Sequence, residues 1–216
     1  MKPNGSRLRI SGLYVIIDPQ QTRGRDPMEV ARQVLRGGAC ILQWRDKTHD
    51  KGEQLPQACA IRELCREYDA LFIVNDHVDL ALACAADGVH LGQKDLPIET
   101  VRSWAPAGLL IGVSTNNAEE ARQAEKDGAG YVAIGSIFPT GTKKTTRPAS
   151  LERLREVKQA VSVPVVAIGG ISEKNIAQVL EAGADAVAVI SAVCSAEDVE
   201  EATRRLVAKF GRASET

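Results

Sequence analysis

Two aspartates stand one strand–helix repeat apart, Asp76 in Ile73-Val-Asn-Asp-His and Asp95 in Val89-His-Leu-Gly-Gln-Lys-Asp. Each follows a short apolar run that reads as a strand, and a helical pattern comes next. In a parallel sheet both carboxylates then lie at the same end of neighbouring strands. Together they would hold Mg²⁺, a hard cation that takes oxygen ligands. Taken alone, each aspartate also reads as a helix N-cap, and the two roles are compatible.

Gln43-Trp-Arg-Asp-Lys47 alternates at another strand end, so Gln43, Arg45 and Lys47 point one way and Trp44 and Asp46 the other. Arg and Lys side by side match a diphosphate; the plainer alternative is a strand running out into solvent. Phe138-Pro-Thr-Gly-Thr-Lys143 opens a long polar loop whose hydroxyls and cations suit an oxyanion, or simply solvent. Its length and composition are also those of a lid. Ala167-Ile-Gly-Gly170 and Val189-Ile-Ser191 follow two further strands. Glycine there lets backbone N–H groups approach a phosphate, or makes an ordinary tight turn. His90 alternates with apolar neighbours and reads as a barrel-wall histidine with its hydrogen bonds met, with a catalytic histidine as the alternative. No GxGxxG, Walker A, Ser/His/Asp or zinc-like pattern is present.

These residues need elements to hold them. Strands are predicted at Leu13–Ile17, Cys40–Trp44, Leu71–Asn75, Gly88–Leu91, Leu109–Val113, Tyr131–Gly135, Val163–Ile168 and Ala186–Ile190. Their near-continuous apolar character is that of buried parallel strands. Helices are predicted at Pro27–Arg36, Lys51–Tyr68, Val78–Ala85, Pro97–Trp104, Ala118–Asp127, Leu151–Ala160, Glu173–Glu181 and Ala196–Lys209. Asn117, Ser172 and Ser195 read as helix openers, and Gly37, Gly128 and Gly183 as the residues that end helices. Eight strands alternating with eight helices, in units averaging about 27 residues, predict an α/β fold, a single-domain (β/α)₈ TIM barrel, over a doubly wound open sheet. In such a barrel the strand ends nominate Asn75, Ser114, Thr140, Thr142, Lys143, Gly169, Gly170 and Ser191 alongside the residues above.

The chain has 216 residues, 27 Lys and Arg against 28 Asp and Glu, and a net charge of −1. That balance gives no pull toward nucleic acid or an anionic membrane. No apolar stretch reaches the roughly 18 residues of a membrane span. The polar start and the short run Leu13–Ile17 do not make a signal peptide. With five scattered cysteines and no Cys-x-x-Cys, a cytoplasmic protein with reduced thiols is expected. The domain spans 1–216, with 1–10 and 211–216 expected to be flexible tails. A homo-oligomer is left open.

The ordered set Gln43-Trp-Arg-Asp-Lys, Val74-Asn-Asp-His-Val-Asp-Leu-Ala, Ala86-Asp-Gly-Val-His-Leu-Gly-Gln-Lys-Asp, Gly112-Val-Ser, Phe138-Pro-Thr-Gly-Thr-Lys, Ala167-Ile-Gly-Gly and Val189-Ile-Ser spans about 150 residues. It resembles the thiamine-phosphate synthase family. The resemblance implies that 4-amino-2-methyl-5-(diphosphooxymethyl)pyrimidine is joined to 4-methyl-5-(2-phosphooxyethyl)thiazole, giving thiamine phosphate and diphosphate. It implies that Gln43, Arg45, Lys47, Asn75, Ser114 and Lys143 contact the pyrimidine diphosphate. It further implies that Asp76 and Asp95 ligate Mg²⁺, and that Thr140, Thr142, Gly170, Ile190 and Ser191 hold the thiazole phosphate. Arg45, Lys47, Lys143 and Ser114 are the expected catalytic residues.

Two positions depart from the family pattern. Ser136 stands where many relatives carry Pro, and Asn116 where many carry His. The resemblance extends to a related branch, the thiazole tautomerases, for which it implies a histidine in that region. Asn116 opposes that reading, and the metal and diphosphate set opposes a non-catalytic thiazole-phosphate binder.

Overall fold

The first strand shows why the apolar runs carry no polar alternation. In β1 (Gly12–Ile17), Leu13, Val15 and Ile17 pack outward under helices, while Tyr14 and Ile16 point inward. Both faces of the strand are buried, as a sheet curled inside a layer of helices demands. A computed structural model describes residues 10–139 and 150–211. The remaining strands are β2 (Ile41–Trp44), β3 (Leu71–Asn75), β4 (Gly88–Leu91), β5 (Leu110–Thr115), β6 (Tyr131–Gly135), β7 (Val165–Ile168) and β8 (Ala186–Val189). All pair in parallel and in chain order, and β8 returns to β1 through Tyr14 opposite Ala188, closing the barrel. The expected TIM barrel is the observed fold.

The helices are α1 (Pro27–Arg36), α2 (Lys51–Glu67), α3 (Val78–Ala83), α4 (Ile98–Trp104), α5 (Ala118–Lys126), α6 (Leu151–Ala160), α7 (Ile176–Glu181), α8 (Ser191–Cys194) and α9 (Val199–Val207). Asn117 caps α5 as expected, its side chain accepting from Glu120 N. Two expected caps are displaced. Helix α7 opens at Asn175, whose Oδ1 accepts from Ser172 N, so Ser172 begins the turn before the helix. Helix α9 opens at Asp198, whose carboxylate accepts from Glu201 N. Ser195, expected there, ends α8. The expected last helix, Ala196–Lys209, corresponds to α9 alone, and α8 before it was not expected.

At the end of α1 the left-handed residue is Gly38 (φ +94°), one position beyond the expected Gly37. Gly37 is needed for another reason: a Cβ there would stand 2.5 Å from Thr203 Cβ in α9.

The barrel interior holds a second, smaller core that includes Tyr14, Ile41, Ile73, Tyr131 and Val166. Ile10, from the expected amino-terminal tail, belongs to this core at 1% exposure. The other residues of that tail, 1–9, and all of the carboxy-terminal tail but Gly211 lie outside the described residues. All five cysteines are free. Among the described residues no helix is long and apolar enough to cross a membrane.

Candidate active site

The loops at the carboxyl ends of β2 through β8 surround a cavity of about 620 Å³, well within the range of small-molecule sites. Arg45, Lys47, Asn75, Asp76, Asp95, Ser114, Gly170, Ile190 and Ser191 line it. Residues from four hydrogen-bonded strand ends and two turns therefore converge as expected. Thr140, Thr142 and Lys143 lie outside the described residues.

Asp76 is placed by its backbone. It sits in the left-handed region at φ +60°, an uncommon conformation that aspartate tolerates better than most residues. Its N–H donates to His90 O at 2.8 Å, tying the end of β3 to β4. Asp95 closes a tight turn, its Oδ2 accepting from Gly92 N at 2.6 Å. Neither residue is an N-cap: α3 opens at His77 and α4 at Pro97. The cap alternative falls, and the two carboxyls instead share the cavity and shift one another's ionisation.

Lys47 Nζ donates to Asp76 Oδ2. Burial pushes the Asp76 carboxyl up, but the hydrogen bond and charge of Lys47 outweigh it and hold the group below the usual carboxylate range. Asp95 moves the other way: burial raises it and the adjacent Asp76 charge adds to the rise, against the Gly92 N–H and Lys47. One site thus holds one carboxyl that ionises readily and one that resists, the behaviour of like charges in contact.

Arg45 is held by a residue absent from the sequence-based expectations. Asp18, 2% exposed just past β1, accepts from Arg45 Nη1 and also from Gln20 N at 3.0 Å. The strand-end rule applied to β1 would have found it. Gln43 points to the same side as Arg45 and Lys47 but lies a layer deeper. It is 3% exposed, is not among the residues lining the cavity, and donates from Nε2 to Tyr14 Oη at 2.6 Å. Trp44 and Asp46 turn the other way, as expected. Trp44 donates to Gln54 Oε1, and Asp46 accepts from Thr48 N and His49 N.

Ser114 falls within β5 and not after it. Its Oγ is 2.9 Å from His90 Nε2, and His90 Nδ1 is 3.0 Å from Tyr131 Oη. His90 is the expected hydrogen-bonded barrel-wall residue, yet it also lines the cavity. Gln93, likewise unexpected, donates to Ser114 O. Asn116 is immobilised: its backbone N and its Nδ2 both donate to Glu120 Oε2 at 2.8 Å. Ser136, in the slot of the family proline, donates to Phe138 O at 2.7 Å.

On the opposite wall Gly169 (φ +101°) and Gly170 (φ +65°) turn the chain after β7. Gly170 admits no side chain, because a Cβ would lie 2.7 Å from Pro139 O and 2.8 Å from Phe138 Cβ. Ile190 and Ser191 begin α8, the short extra helix that follows β8. These turns after the seventh and eighth strands lie where barrels of this fold frequently bind a phosphate.

The donor set suits a hard cation. Asp76 and Asp95 supply carboxylate oxygens, and among the described residues no group of three or more His, Cys, Asp or Glu side chains converges. Mg²⁺ is typically held by one or two carboxylates plus water and substrate phosphates, and not by an all-protein cage. The residues present fit that pattern.

The family model described as thiamine monophosphate synthase matches residues 13–193. The thiamine-phosphate synthase of Methanocella arvoryzae is 50% identical over 197 residues, covering 91% of this chain and 93% of its own. That of Pyrococcus abyssi is 50% identical over 194 residues, covering 90% and 92%. A solved thiamine phosphate pyrophosphorylase from Pyrococcus furiosus superposes with a TM-score of 0.87 at 46% identity, covering 94% of this chain and 96% of its own. A 3-hexulose-6-phosphate synthase, at 20% identity and a TM-score of 0.71, shares the fold.

Proposed function

The chain belongs to the thiamine monophosphate synthase family, and on that premise we propose how its residues divide the work of joining the pyrimidine diphosphate to the thiazole phosphate. The observation that carries the assignment is the Lys47–Asp76–Asp95 cluster beside Arg45 in a single cavity. Arg45, Lys47 and Lys143 take the diphosphate, with Asn75 and Ser114 as hydrogen-bonding partners and Gln43 beneath the pyrimidine. Asp76 and Asp95 hold Mg²⁺, which when bound neutralises charge on the diphosphate oxygens. Gly170, Ile190 and Ser191, with Thr140 and Thr142, hold the thiazole phosphate.

The amino-substituted pyrimidine delocalises positive charge from its exocyclic methylene. The C–O bond to diphosphate therefore breaks largely before the new bond forms, and the leaving group departs with the electron pair. The thiazole nitrogen then donates its own lone pair to the methylene carbon. No proton must be removed from that nitrogen, so no strong base is needed. The side chains act by position and by charge directed at the departing diphosphate. Asn116 cannot exchange a proton and is fixed to Glu120, which disfavours a tautomerase. The scattered free thiols suit a cytoplasmic enzyme.

The direct test incubates the purified protein with both substrates and Mg²⁺ and measures thiamine phosphate and diphosphate. Product at one-to-one stoichiometry, lost in Lys143→Ala with the fold intact, is expected. Calorimetry that finds thiazole phosphate bound, with no response to Mg²⁺ and no turnover, would replace the synthase by a binder.

A further inference from the structure

A line of hydrogen bonds crosses the barrel beneath the cavity. Gln43 Nε2 donates to Tyr14 Oη at 2.6 Å, Tyr14 Oη lies 3.1 Å from Tyr131 Oη, and Tyr131 Oη lies 3.0 Å from His90 Nδ1. His90 Nε2 then reaches Ser114 Oγ at 2.9 Å. Both phenols are fully buried, and burial raises both far above the usual tyrosine range, so each keeps its proton.

The direction of the line follows from valence. Tyr14 Oη accepts from the amide, and its own O–H has one neighbour left, Tyr131. Were Tyr131 to donate to Tyr14, the Tyr14 proton would be stranded in the core. Tyr14 therefore donates to Tyr131, and Tyr131 donates to His90 Nδ1. With Nδ1 accepting, the ring proton sits on Nε2 and is donated to Ser114 Oγ. The Ser114 hydroxyl hydrogen is left to point into the cavity.

We propose that His90 is a positioning residue: the Gln43–Tyr14–Tyr131 line sets its Nε2–H tautomer, which aims the Ser114 hydroxyl as a donor at the departing diphosphate. The last step rests on the assignment of Ser114 to the diphosphate given above. The packing around the line is built to hold it. The His90 and Tyr131 rings stack with centroids 5.6 Å apart, and residue 112 is glycine where a Cβ would fall 1.9 Å from Tyr131 Cζ.

The test is long-range ¹H–¹⁵N correlation NMR of the full chain labelled at the imidazoles, with the His90 signals assigned from His90→Gln. The wild type should show His90 as the Nε2–H tautomer; an Nδ1–H tautomer would reverse the line and overturn the proposal. Tyr131→Phe should mix the two tautomers and lower kcat about tenfold with KM changed less than twofold. An unaltered tautomer and kcat in that variant would also overturn it. His90→Gln keeps an N–H for Ser114 and should retain most of kcat, whereas His90→Leu should not; equal loss in both would reduce His90 to packing. The Nε2–H tautomer in a wild type that makes no thiamine phosphate would support the line and remove the synthase reading instead.

Discussion

Asp18 and Arg45 form an ion pair that joins the end of β1 to the end of β2, with the carboxylate side chain 3% exposed and the guanidinium 18%. Arg45, so paired, also lines the cavity. Removing the carboxylate strands a half-buried cation and releases the cap on the following turn. Asp18→Ala should destabilise the fold by about 1–3 kcal/mol and raise KM for the pyrimidine diphosphate about tenfold. Urea denaturation and steady-state kinetics measure the two effects separately.

Asp76 is held below the usual carboxylate range and Asp95 above it, and a second cation beside Lys47 would ease the repulsion between them. Asp76→Asn and Asp95→Asn should each lower turnover about 100-fold or more while melting within a few degrees of the wild type. The Mg²⁺ concentration for half-maximal rate should rise in both. Chelation should abolish turnover in the wild type, and added Mg²⁺ should restore it.

Gly170 meets two obstacles to any side chain, its φ of +65° and the carbonyl of Pro139. Gly170→Ala should deform the turn after β7 proposed to hold the thiazole phosphate. The expected result is KM for the thiazole phosphate raised about tenfold, with KM for the pyrimidine diphosphate little changed. Equal effects on both substrates would contradict the placement of the thiazole phosphate there.

His49 Nδ1 lies 2.7 Å from Asp46 Oδ2, and that hydrogen bond together with the Asp46 charge raises the imidazole above its ordinary value. For a group raised on folding, stabilisation is complete below the unfolded pKa of about 6.5 and disappears as pH rises through the folded value. Asp46 is pushed up by burial but brought below its usual range by bonds from Thr48 and His49, so its share is lost as pH falls through that lowered value. NMR titration should place His49 above 6.5, and Asp46→Asn should bring it back to about 6.5.

The strand ends were legible because chemistry collects there and apolar runs mark what precedes it. Asp76, Asp95, Arg45 and Lys47 were found in this way. Asp18 obeys the same rule at the first strand, but a lone aspartate before Pro19 reads equally well as the cap of the next turn, which it also is. The line from Gln43 to Ser114 was not legible. Tyr14 and Tyr131 are 117 positions apart and meet only because barrel stagger brings their side chains to one level. Helix α8 was missed because its four residues carry no periodicity to detect. Ile10 looked like tail because one apolar residue beside polar ones says nothing about the barrel floor beneath it.

Closure of β8 onto β1 has a consequence for the chain as it is made. Asp18, paired with an arginine of the pocket, leaves the ribosome long before Ile190 and Ser191 on the opposite wall. Until then the ring stays open at the edge of β1, with Tyr14 lacking its neighbour Ala188. A chain stalled short of the eighth strand has Asp76 and Asp95 in place but no closed ring, so the enclosed cavity should form in one step once β8 pairs with β1.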